Sequence, residues 1–391
     1  MIPIAKPMLG ATEAEAAEEA ILSGWVSQGP QVAEFEREFA AFVGATHACA
    51  VSNCTTALHL ALVGADIGAG DEVITASHSF IATANCIRYV GATPRFADVD
   101  PRTYNLDPDS VAQLITPRTR AIIAVHQMGM PCDLSALCAL ADRHRILLIE
   151  DAACAAGSEI QIDGGWERVG RSRGKVTCFS FHPRKVITTG EGGMLTTNDP
   201  ELDAKFRLLR QHGMSVPDTV RHGSAKVIFE EYLAVGFNYR MTDIQAAIGR
   251  RQLERLPSLV ARRRAHARVY GQLLANIDGL ELPHEPEWAR SNWQSYCVRL
   301  PDQADQGKIM QNLLDQGIST RRGIMCAHRE RPYREAEQPP LRQSEIAQDR
   351  CVLLPIFAQM TEADQDLIAG ALKRELTGLG RTPASKRVSA R

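Results

Sequence analysis

The sequence lacks the cysteine patterns that mark zinc sites and disulfide frameworks. Ten cysteines are present, but no two form a C-x-x-C pair, and the closest are Cys49 with Cys54 and Cys132 with Cys138. Cys and His residues also show no zinc-ligand spacing. Scattered thiols in apolar stretches are typical of reduced cysteines in a cytosolic protein. We therefore expect no metal site and a reducing compartment.

The sequence also lacks a surplus of charge and a long apolar run. Its formal net charge is -2, so no basic excess favours nucleic acid or an anionic membrane as a partner. No stretch approaches the roughly 20 apolar residues of a membrane span, and the first residues contain no apolar signal core. We expect a cytoplasmic protein that acts on small molecules.

Two common nucleotide-binding patterns are missing as well. The sequence contains neither the GxxxxGK[ST] of a P-loop nor the GxGxxG of a dinucleotide-binding turn. Hydrolysis of a nucleoside triphosphate is therefore not indicated.

The first half of the sequence shows a regular alternation of strands and helices. Short apolar strands such as "HACAV", "DEVITA", "AIIAVH" and "ILLIED" are separated by segments with helical periodicity. Continuous apolar strands are typical of burial on both faces. This order predicts an α/β fold, in which helices cover a parallel or mixed sheet.

The pattern changes after residue 198 and predicts a second, smaller domain. The stretch that begins "MTDIQAAIGRRQLERL" predicts one long helix with a potential kink at Pro257, and shorter units such as "SYCVRL" and "QGKIMQNLLDQG" follow it. We predict a large domain over residues 1–250, a small C-terminal α/β domain over 251–380 and a disordered tail over 381–391.

A strand end in the large domain contains two adjacent carboxylates. The apolar strand "ILLIED" ends in Glu150 and Asp151. Ligands in parallel α/β sheets collect at the carboxyl ends of the strands. A buried acid at that edge needs a cationic or protonated partner. Capping of the next helix would explain the Asp equally well.

Two further segments add polar groups that suit a phosphorylated ligand. "VSNCTTALHLAL" places Thr55 and Thr56 at a helix start, where free amides and hydroxyls form a phosphate cradle or simply cap the helix. "SFHPRKVITTGEGGM" places Ser180 and Lys185 around a turn after a buried strand. The alternative for Lys185 is an exposed loop lysine.

The three segments together match the requirements of pyridoxal 5'-phosphate (PLP). A lysine amine forms the Schiff base with this cofactor, and an acid pairs with its pyridinium nitrogen. Protonation of that nitrogen makes the ring an electron sink. A helix start would hold the phosphate.

At this point the sequence resembles the DegT/DnrJ/EryC1/StrS family of sugar aminotransferases. The resemblance runs from about residue 4 to residue 372 and implies the type I PLP-dependent aminotransferase fold, a large mixed-sheet domain with a smaller C-terminal domain. The matching stretches are "GWVSQGPQVAEFE", "TTALHLAL", "HSFIATANCIRYVGATPRFADVD", "IEDAACAAGS", "SFHPRKVITTGEGGM", "GFNYRMTDIQAAIG" and "LPIFAQMTEADQD".

The resemblance implies a role for individual residues. Lys185 matches the lysine that forms the Schiff base and moves the proton between substrate and cofactor. Asp151 matches the partner of the pyridinium nitrogen, and Phe80 matches the aromatic residue that stacks on the ring. The implied phosphate site comprises Thr55, Thr56, Ser180 and, from the neighbouring subunit, Asn238. A shared site of this kind implies a homodimer.

Two positions depart from the usual family pattern. Cys54 stands where many members have Gly before the phosphate-binding Thr. Cys154 stands where members usually have a Gln or His that hydrogen-bonds the phenolic oxygen of the cofactor. A thiol is a weak donor, so this contact is expected to be lost or passed to water.

The resemblance also implies a reaction. We expect transfer of an amino group from L-glutamate to the keto sugar of a nucleoside-diphosphate sugar, with a 4-keto-6-deoxyhexose of the perosamine type as the first choice. Lys185 separates this chain from relatives that have His at this position and remove a hydroxyl. Three alternatives stay open: amination of a keto-cyclitol, a non-catalytic PLP-binding regulator and a structural protein without cofactor.

Several other residues are open to either a substrate-binding or a packing role. Packing is the favoured interpretation for His182, while Arg240 suits the donor carboxylate and a bracing role equally. The remaining candidates are Trp25, His126, His328 and Tyr333.

Overall fold

The computed structural model describes residues 1–216, 220–221, 224–335 and 338–377. Its strands are β1 His47–Val51, β2 Glu72–Ala76, β3 Thr93–Ala97, β4 Thr119–Val125, β5 Leu147–Asp151, β6 Glu159–Ile162, β7 Gly165–Arg168, β8 Val176–Ser180, β9 Gly193–Thr197, β10 Ala289–Arg290, β11 Tyr296–Arg299, β12 Arg321–Arg322 and β13 Cys351–Leu354. Its α-helices are α1 Ala11–Leu22, α2 Pro30–Val43, α3 Cys54–Gly64, α4 Ala82–Tyr89, α5 Pro108–Leu114, α6 Leu134–His144, α7 Pro200–Leu209, α8 Asp243–Leu274, α9 Gln306–Asp315, α10 Arg342–Arg350 and α11 Glu362–Thr377.

A seven-stranded mixed sheet forms the centre of the described structure. The strand order is β1-β9-β8-β5-β4-β2-β3. The neighbours from β8 to β3 pair in parallel, and β9 pairs antiparallel with both β8 and β1. Every residue of β2, β8 and β9 is buried, as expected for a sheet covered on both faces. The predicted α/β fold with a mixed sheet is confirmed.

Aromatic packing fixes the strand that leads into the Lys185 turn. Phe179, in β8, and Phe181, just after the strand, pack against Phe35 and Phe39 of α2. The ring centroids of Phe39 and Phe179 are 4.9 Å apart, and those of Phe35 and Phe181 are 5.3 Å apart, with tilted or edge-on rings. Such pairs add to the stabilisation from burial alone. The turn after β8 therefore starts from a firmly packed position.

The predicted long helix is confirmed as α8, which spans 32 residues and contains Pro257. Thr242 starts it with a capping box closed by Gln245. The helix packs against α1 and α2, and also against α11. The proposed domain boundary at residue 250 falls inside this helix, and the division into domains stays a prediction.

A second apolar cluster surrounds the small sheet β11-β13-β12. It includes Tyr270 and Leu274 from the end of α8 together with Val298 and Leu354. The N-terminus also reaches this region, because Ile2 forms a bridge with Ile318. The cluster gives the C-terminal part of the chain an apolar core of its own.

Some elements were not predicted, and one prediction cannot be compared. The hairpin of β6 and β7, the helices α7 and α10, and strand β13 were all missed. The tail predicted to be disordered, residues 381–391, lies outside the described residues. Within the described ranges, none of the helices is both long enough and apolar enough to cross a membrane.

Candidate active site

The carboxyl ends of three strands of the central sheet place the predicted catalytic segments at one edge. Strand β5 ends at Asp151, β8 ends at Ser180 just before the Lys185 turn, and β2 leads into the loop that contains Phe80. In the sheet β5 lies beside β8, and β4 separates β5 from β2. Residues from distant parts of the sequence thus meet where α/β sheets usually bind ligands.

Asp151 is buried and held in a fixed orientation. Its Oδ2 accepts a hydrogen bond from the hydroxyl of Thr83 at 2.8 Å, and its Oδ1 accepts one from the Ala153 N–H at 3.1 Å. Burial raises the pKa of Asp151, and the two hydrogen bonds and the charge of Lys185 offset this only in part. A buried carboxyl with a raised pKa is suited to a cationic ligand group, which would stabilise its ionised form.

Lys185 lies close to Asp151 and to two thiols. Its Nζ donates a hydrogen bond to the Sγ of Cys154 at 3.1 Å. Burial lowers the pKa of Lys185, but Cys154, Cys54 and Asp151 raise it by more, and the net shift is upward. Cys154 therefore contacts the lysine directly, at the position where family members usually have Gln or His.

The start of α3 lies against the end of β8 and β9. Ser180 pairs with Gly193 across the two strands, and a Cβ on Gly193 would lie 2.5 Å from the carbonyl of Asn53. Only glycine permits this close approach. Ser180 therefore lies close to the first turn of α3, and a hydroxyl beside a helix start is the arrangement expected of an anion site.

The two threonines of this helix start have different surroundings. Thr56 belongs to a capping box with Asn53: its N–H donates to Asn53 Oδ1 at 2.9 Å, and its hydroxyl donates to the Asn53 carbonyl at 2.7 Å. The hydroxyl of Thr55 has no hydrogen-bond partner within the part of the chain that the structure describes. Of the two hydroxyls, that of Thr55 is therefore the one available to a ligand.

Phe80 and Asn238 both present their side chains to solvent. The side chain of Phe80 is 62% exposed, although it lies at the same sheet edge as Asp151. Asn238 is exposed, and its backbone forms a bridge with Gln211. The structure brings Phe80 to the site but turns Asn238 outward, as a residue that contacts a second subunit would require.

Two histidines near the site are occupied by structural hydrogen bonds. The Nδ1 of His182 accepts from the Arg184 N–H at 3.2 Å, and its carbonyl accepts from the Lys185 N–H at 2.8 Å. His126 is buried with its Nε2 3.1 Å from Glu150 Oε2. The packing interpretation of His182 agrees with these contacts, and Glu150 pairs with His126 rather than with Lys185.

The other candidates mostly connect elements of the structure. The Nδ1 of His328 lies 2.6 Å from Ser77 Oγ, and its Nε2 lies 3.2 Å from Glu345. Tyr333 is buried against Phe96, and these contacts account for His328 and Tyr333 without a ligand. The backbone of Arg240 forms a bridge with Val51.

Sequence reasoning missed residues that support the site. Thr83 fixes Asp151, and its position three residues after Phe80 in "SFIAT" was the available signal. Asn292 contacts the carbonyl of Cys154, and Gln294 contacts the carbonyl of Arg184. No local pattern marked Asn292 or Gln294, because their partners lie far away in the sequence.

The residues present fit PLP. Asp151 would hold the ring nitrogen, Lys185 would hold the cofactor covalently, and Phe80 offers an uncovered ring face. The amides at the start of α3 and the hydroxyls of Thr55 and Ser180 suit the phosphate. The donor set thus matches each part of the cofactor.

Comparison with known proteins also indicates an aminotransferase. The DegT/DnrJ/EryC1/StrS aminotransferase family matches residues 7–373. The chain is 41% identical over 379 residues to GDP-perosamine synthase of Caulobacter vibrioides, which covers 96% of this chain and 98% of that protein. It is 38% identical over 387 residues to the spore coat polysaccharide biosynthesis protein SpsC of Bacillus subtilis, with 96% and 97% covered.

A solved structure shows the same fold. The aminotransferase TlmJ from Streptoalloteichus hindustanus superposes with a TM-score of 0.89 at 35% identity, over 97% of this chain and 100% of that one. The match extends over both the central sheet and the C-terminal part. Given this likeness and the family match over nearly its whole length, the chain belongs to the DegT/DnrJ/EryC1/StrS aminotransferase family and is a PLP-dependent aminotransferase.

Proposed function

We propose that the protein transfers the amino group of L-glutamate to the keto group of a nucleoside-diphosphate sugar, specifically a 4-keto-6-deoxyhexose of the perosamine type. Family membership supports aminotransfer, and the likeness to GDP-perosamine synthase supports the sugar. The observation that carries the proposal is the placement of Lys185 beside Cys154 and Asp151 at the sheet edge.

Lys185 is the group that we assign to proton transfer. The bound cofactor supplies an electron sink and a carbon that accepts the amino group. The Nζ of Lys185 would first hold the cofactor, then take the proton from the α-carbon of glutamate once the donor has displaced it. In the second half of the cycle the same Nζ would return a proton to the sugar carbon that receives the nitrogen.

Asp151 and its partners hold the ring end of the cofactor. The Asp151 carboxylate would keep the ring nitrogen protonated, and Thr83 and the Ala153 N–H hold the carboxylate in one orientation. Phe80 would cover one face of the ring and exclude water from it. The residues at the start of α3 would hold the phosphate and keep the cofactor in place when Lys185 is released.

A second copy of the chain is proposed to complete the site. Asn238 is exposed beside a segment with exposed apolar side chains at Val227, Phe229 and Val235. Apolar surface of this extent is typical of a protein interface. A homodimer would bury the segment and bring Asn238 to the phosphate of the partner's site.

We also propose a cytoplasmic location. All ten cysteines are free, and eight of them are buried. Free thiols in this number are typical of a reducing compartment.

The test of the function is the visible absorbance of the PLP-loaded protein before and after L-glutamate. Loss of the band of the lysine-bound cofactor, with an equal amount of 2-oxoglutarate, would support the first half-reaction. The glutamate-treated protein is then offered GDP-, UDP- and dTDP-linked 4-keto-6-deoxyhexoses, and recovery of the band identifies the acceptor. Lys185→Ala is the control, because it removes the proposed attachment point.

An unchanged band would reject glutamate as the donor. Recovery of the band with a keto-cyclitol, and not with any sugar nucleotide, would reject the proposed acceptor. Catalytic turnover in Lys185→Ala at near the wild-type rate would reject the assignment of Lys185.

A further inference from the structure

The five residues Ser291–Ser295 connect β10 to β11 and lie against both loops of the active site. We call this segment the connector. Its central residue, Trp293, has a φ of 53°, a left-handed conformation that is unusual for an aromatic residue. Strained backbone of this kind persists only where the surrounding contacts enforce it, and such sites are often functional.

Asn292 binds the connector to the turn that follows Asp151. Its Nδ2 donates to the carbonyls of Cys154 at 2.8 Å and Ala156 at 2.9 Å, and its Oδ1 accepts from the Gln294 N–H at 2.8 Å. The side chain is fully buried. Asn292 therefore fixes the backbone of Cys154, the residue whose thiol contacts Lys185.

Gln294 binds the connector to the other loop, immediately before Lys185. Its Nε2 donates to the carbonyl of Arg184 at 2.5 Å. The side chain is only 8% exposed, and among the described residues its Oε1 has no hydrogen-bond partner. Burial of an unpaired acceptor is unfavourable, so a Met of similar volume would be expected to pack at least as well. The amide is best explained by its contact with Arg184.

A buried arginine holds the connector itself. Arg263, on α8, donates from one guanidinium nitrogen to the carbonyls of Trp293 at 3.0 Å, Gln294 at 3.3 Å and Ile356 at 3.1 Å. Burial disfavours the charged guanidinium and lowers the pKa of Arg263 to about 10. Arg263 thus hydrogen-bonds the connector to the long helix at two of its five residues.

We propose that Asn292 and Gln294 are positioning residues, which together set the distance between Lys185 and the turn that contains Cys154. The proposal rests on the assignment of Lys185 under the proposed function. The side chain of a catalytic lysine must move between cofactor and substrate, so its backbone must stay still for the amine to reach both. A misplacement of about 1 Å can cost roughly 100-fold in rate.

The test replaces Gln294 with Met, which keeps the volume and removes the donor. Gln306→Met is the matched control, because Gln306 also donates to two backbone carbonyls, those of Gln348 and Cys351, but lies in the C-terminal part. Amide hydrogen exchange of peptides that cover residues 182–192 is measured on the PLP-loaded proteins. Values of kcat and KM for both substrates and the melting temperature are measured alongside.

We expect Gln294→Met to accelerate exchange in residues 182–192 by about tenfold or more, because the tether of the turn is lost. Its kcat should fall by about 10- to 100-fold with KM changed by less than about threefold. Gln306→Met should leave both the exchange and kcat at wild-type values, whatever its melting temperature. Asn292→Ala should accelerate exchange in residues 152–158 and lower kcat similarly.

Wild-type exchange and kcat in Gln294→Met would overturn the proposal, and so would equal effects of the two Gln variants. Failure of the proposed function is separate from this. Turnover in Lys185→Ala would reject the proposed function. If Lys185→Ala is inactive but Gln294→Met has wild-type exchange and kcat, only the positioning role is rejected.

Discussion

Lys185 and Cys154 form a direct contact, in which the lysine Nζ donates to the Sγ of Cys154 at 3.1 Å. Burial lowers the pKa of Lys185, and the interaction with Cys154 is the largest of the effects that raise it above its ordinary value. Only the unprotonated amine can attack the cofactor. Cys154 therefore favours the protonated form of Lys185, which is the form that cannot attack.

Replacement of Cys154 by Ala should lower the pKa of Lys185 and speed the capture of the cofactor. We expect the rate at which the visible band appears after addition of PLP to rise by about two- to tenfold at neutral pH, since one pKa unit is a tenfold change in free amine. The measurement is this rate as a function of pH, and its midpoint should move to lower pH. Cys138→Ala is the control, because Cys138 contacts the distant Arg173 carbonyl instead. An unchanged midpoint in Cys154→Ala would contradict the prediction.

Asp151→Asn should stabilise the cofactor-free protein at neutral pH and still abolish most activity. Because burial raises the pKa of Asp151 in the folded state, its contribution to stability is complete below pH about 4 and is lost as pH rises through the folded pKa. An Asn can bond Thr83 and the Ala153 N–H without the unfavourable burial of a charge. We expect a melting temperature a few degrees higher at pH 7, a difference that shrinks in acid, and a turnover at least about 100-fold lower.

Asp243→Asn provides the contrast for the stability measurement. Asp243 is also buried and accepts from the N–H groups of Gly29, Gln31 and Val32, at 2.7 to 3.0 Å. Burial raises the pKa of Asp243 too, but all three of its side-chain donors are backbone N–H groups, which the NH2 group of an amide cannot bond. The loss of one acceptor oxygen should therefore outweigh the gain, and this variant should melt at a lower temperature at pH 7. A lower melting temperature in Asp151→Asn as well would show that the carboxylate is not a destabilising element of the free protein.

The sequence predicts the elements whose signals are local. Strands such as β5 and β8 are short, largely buried and rich in apolar residues. The end of β5 identifies Asp151, and the turn after β8 contains Lys185, because a parallel sheet collects its strand ends at one edge. The β6–β7 hairpin was missed although its turn has a recognisable sequence. Asp163 and Gly164 both have positive φ, the conformation for which an Asp-Gly pair is favoured.

The supporting contacts of the site could not be predicted, because they join residues that are distant in the sequence. Gln294 lies 110 positions from Arg184, and Asn292 lies 138 positions from Cys154. Thr55 and Thr56 were given the same role, yet only the structure shows that the Thr56 hydroxyl is already engaged by Asn53. Such distinctions depend on tertiary geometry and not on residue type.

The adjacent threonines of α3 should separate cofactor binding from helix capping. Thr55→Val removes a hydroxyl that is free for the phosphate, and we expect the Kd for PLP to rise about tenfold with little change in stability. Thr56→Val removes the hydroxyl's half of the capping box, the bonds to the Asn53 N–H and carbonyl, and should lower the free energy of unfolding by about 1 kcal/mol. Titration of the cofactor-free variants with PLP and their chemical denaturation give the two values. The assignment of Thr55 fails if its variant binds PLP as the wild type does.

The exposed apolar segment should control both assembly and cofactor affinity. The side chains of Phe229 and Val235 are 88% and 91% exposed, close in sequence to Asn238. We expect Phe229→Asp to convert a dimer into monomers, because a charge would have to be buried in the interface. PLP affinity should fall with it, since Asn238 could no longer reach the partner's phosphate site. Sedimentation velocity and PLP titration measure the two effects.

The control for the interface is Leu367→Asp on α11, where Leu367 is 49% exposed and a new charge would remain in solvent. Asn238→Ala should weaken PLP binding and leave the dimer intact, which separates the two roles of the segment. A monomeric wild-type protein with full PLP affinity would reject the shared site. A dimeric Phe229→Asp with normal affinity would instead place the interface elsewhere on the surface, because burial of the new charge at this segment would then not occur.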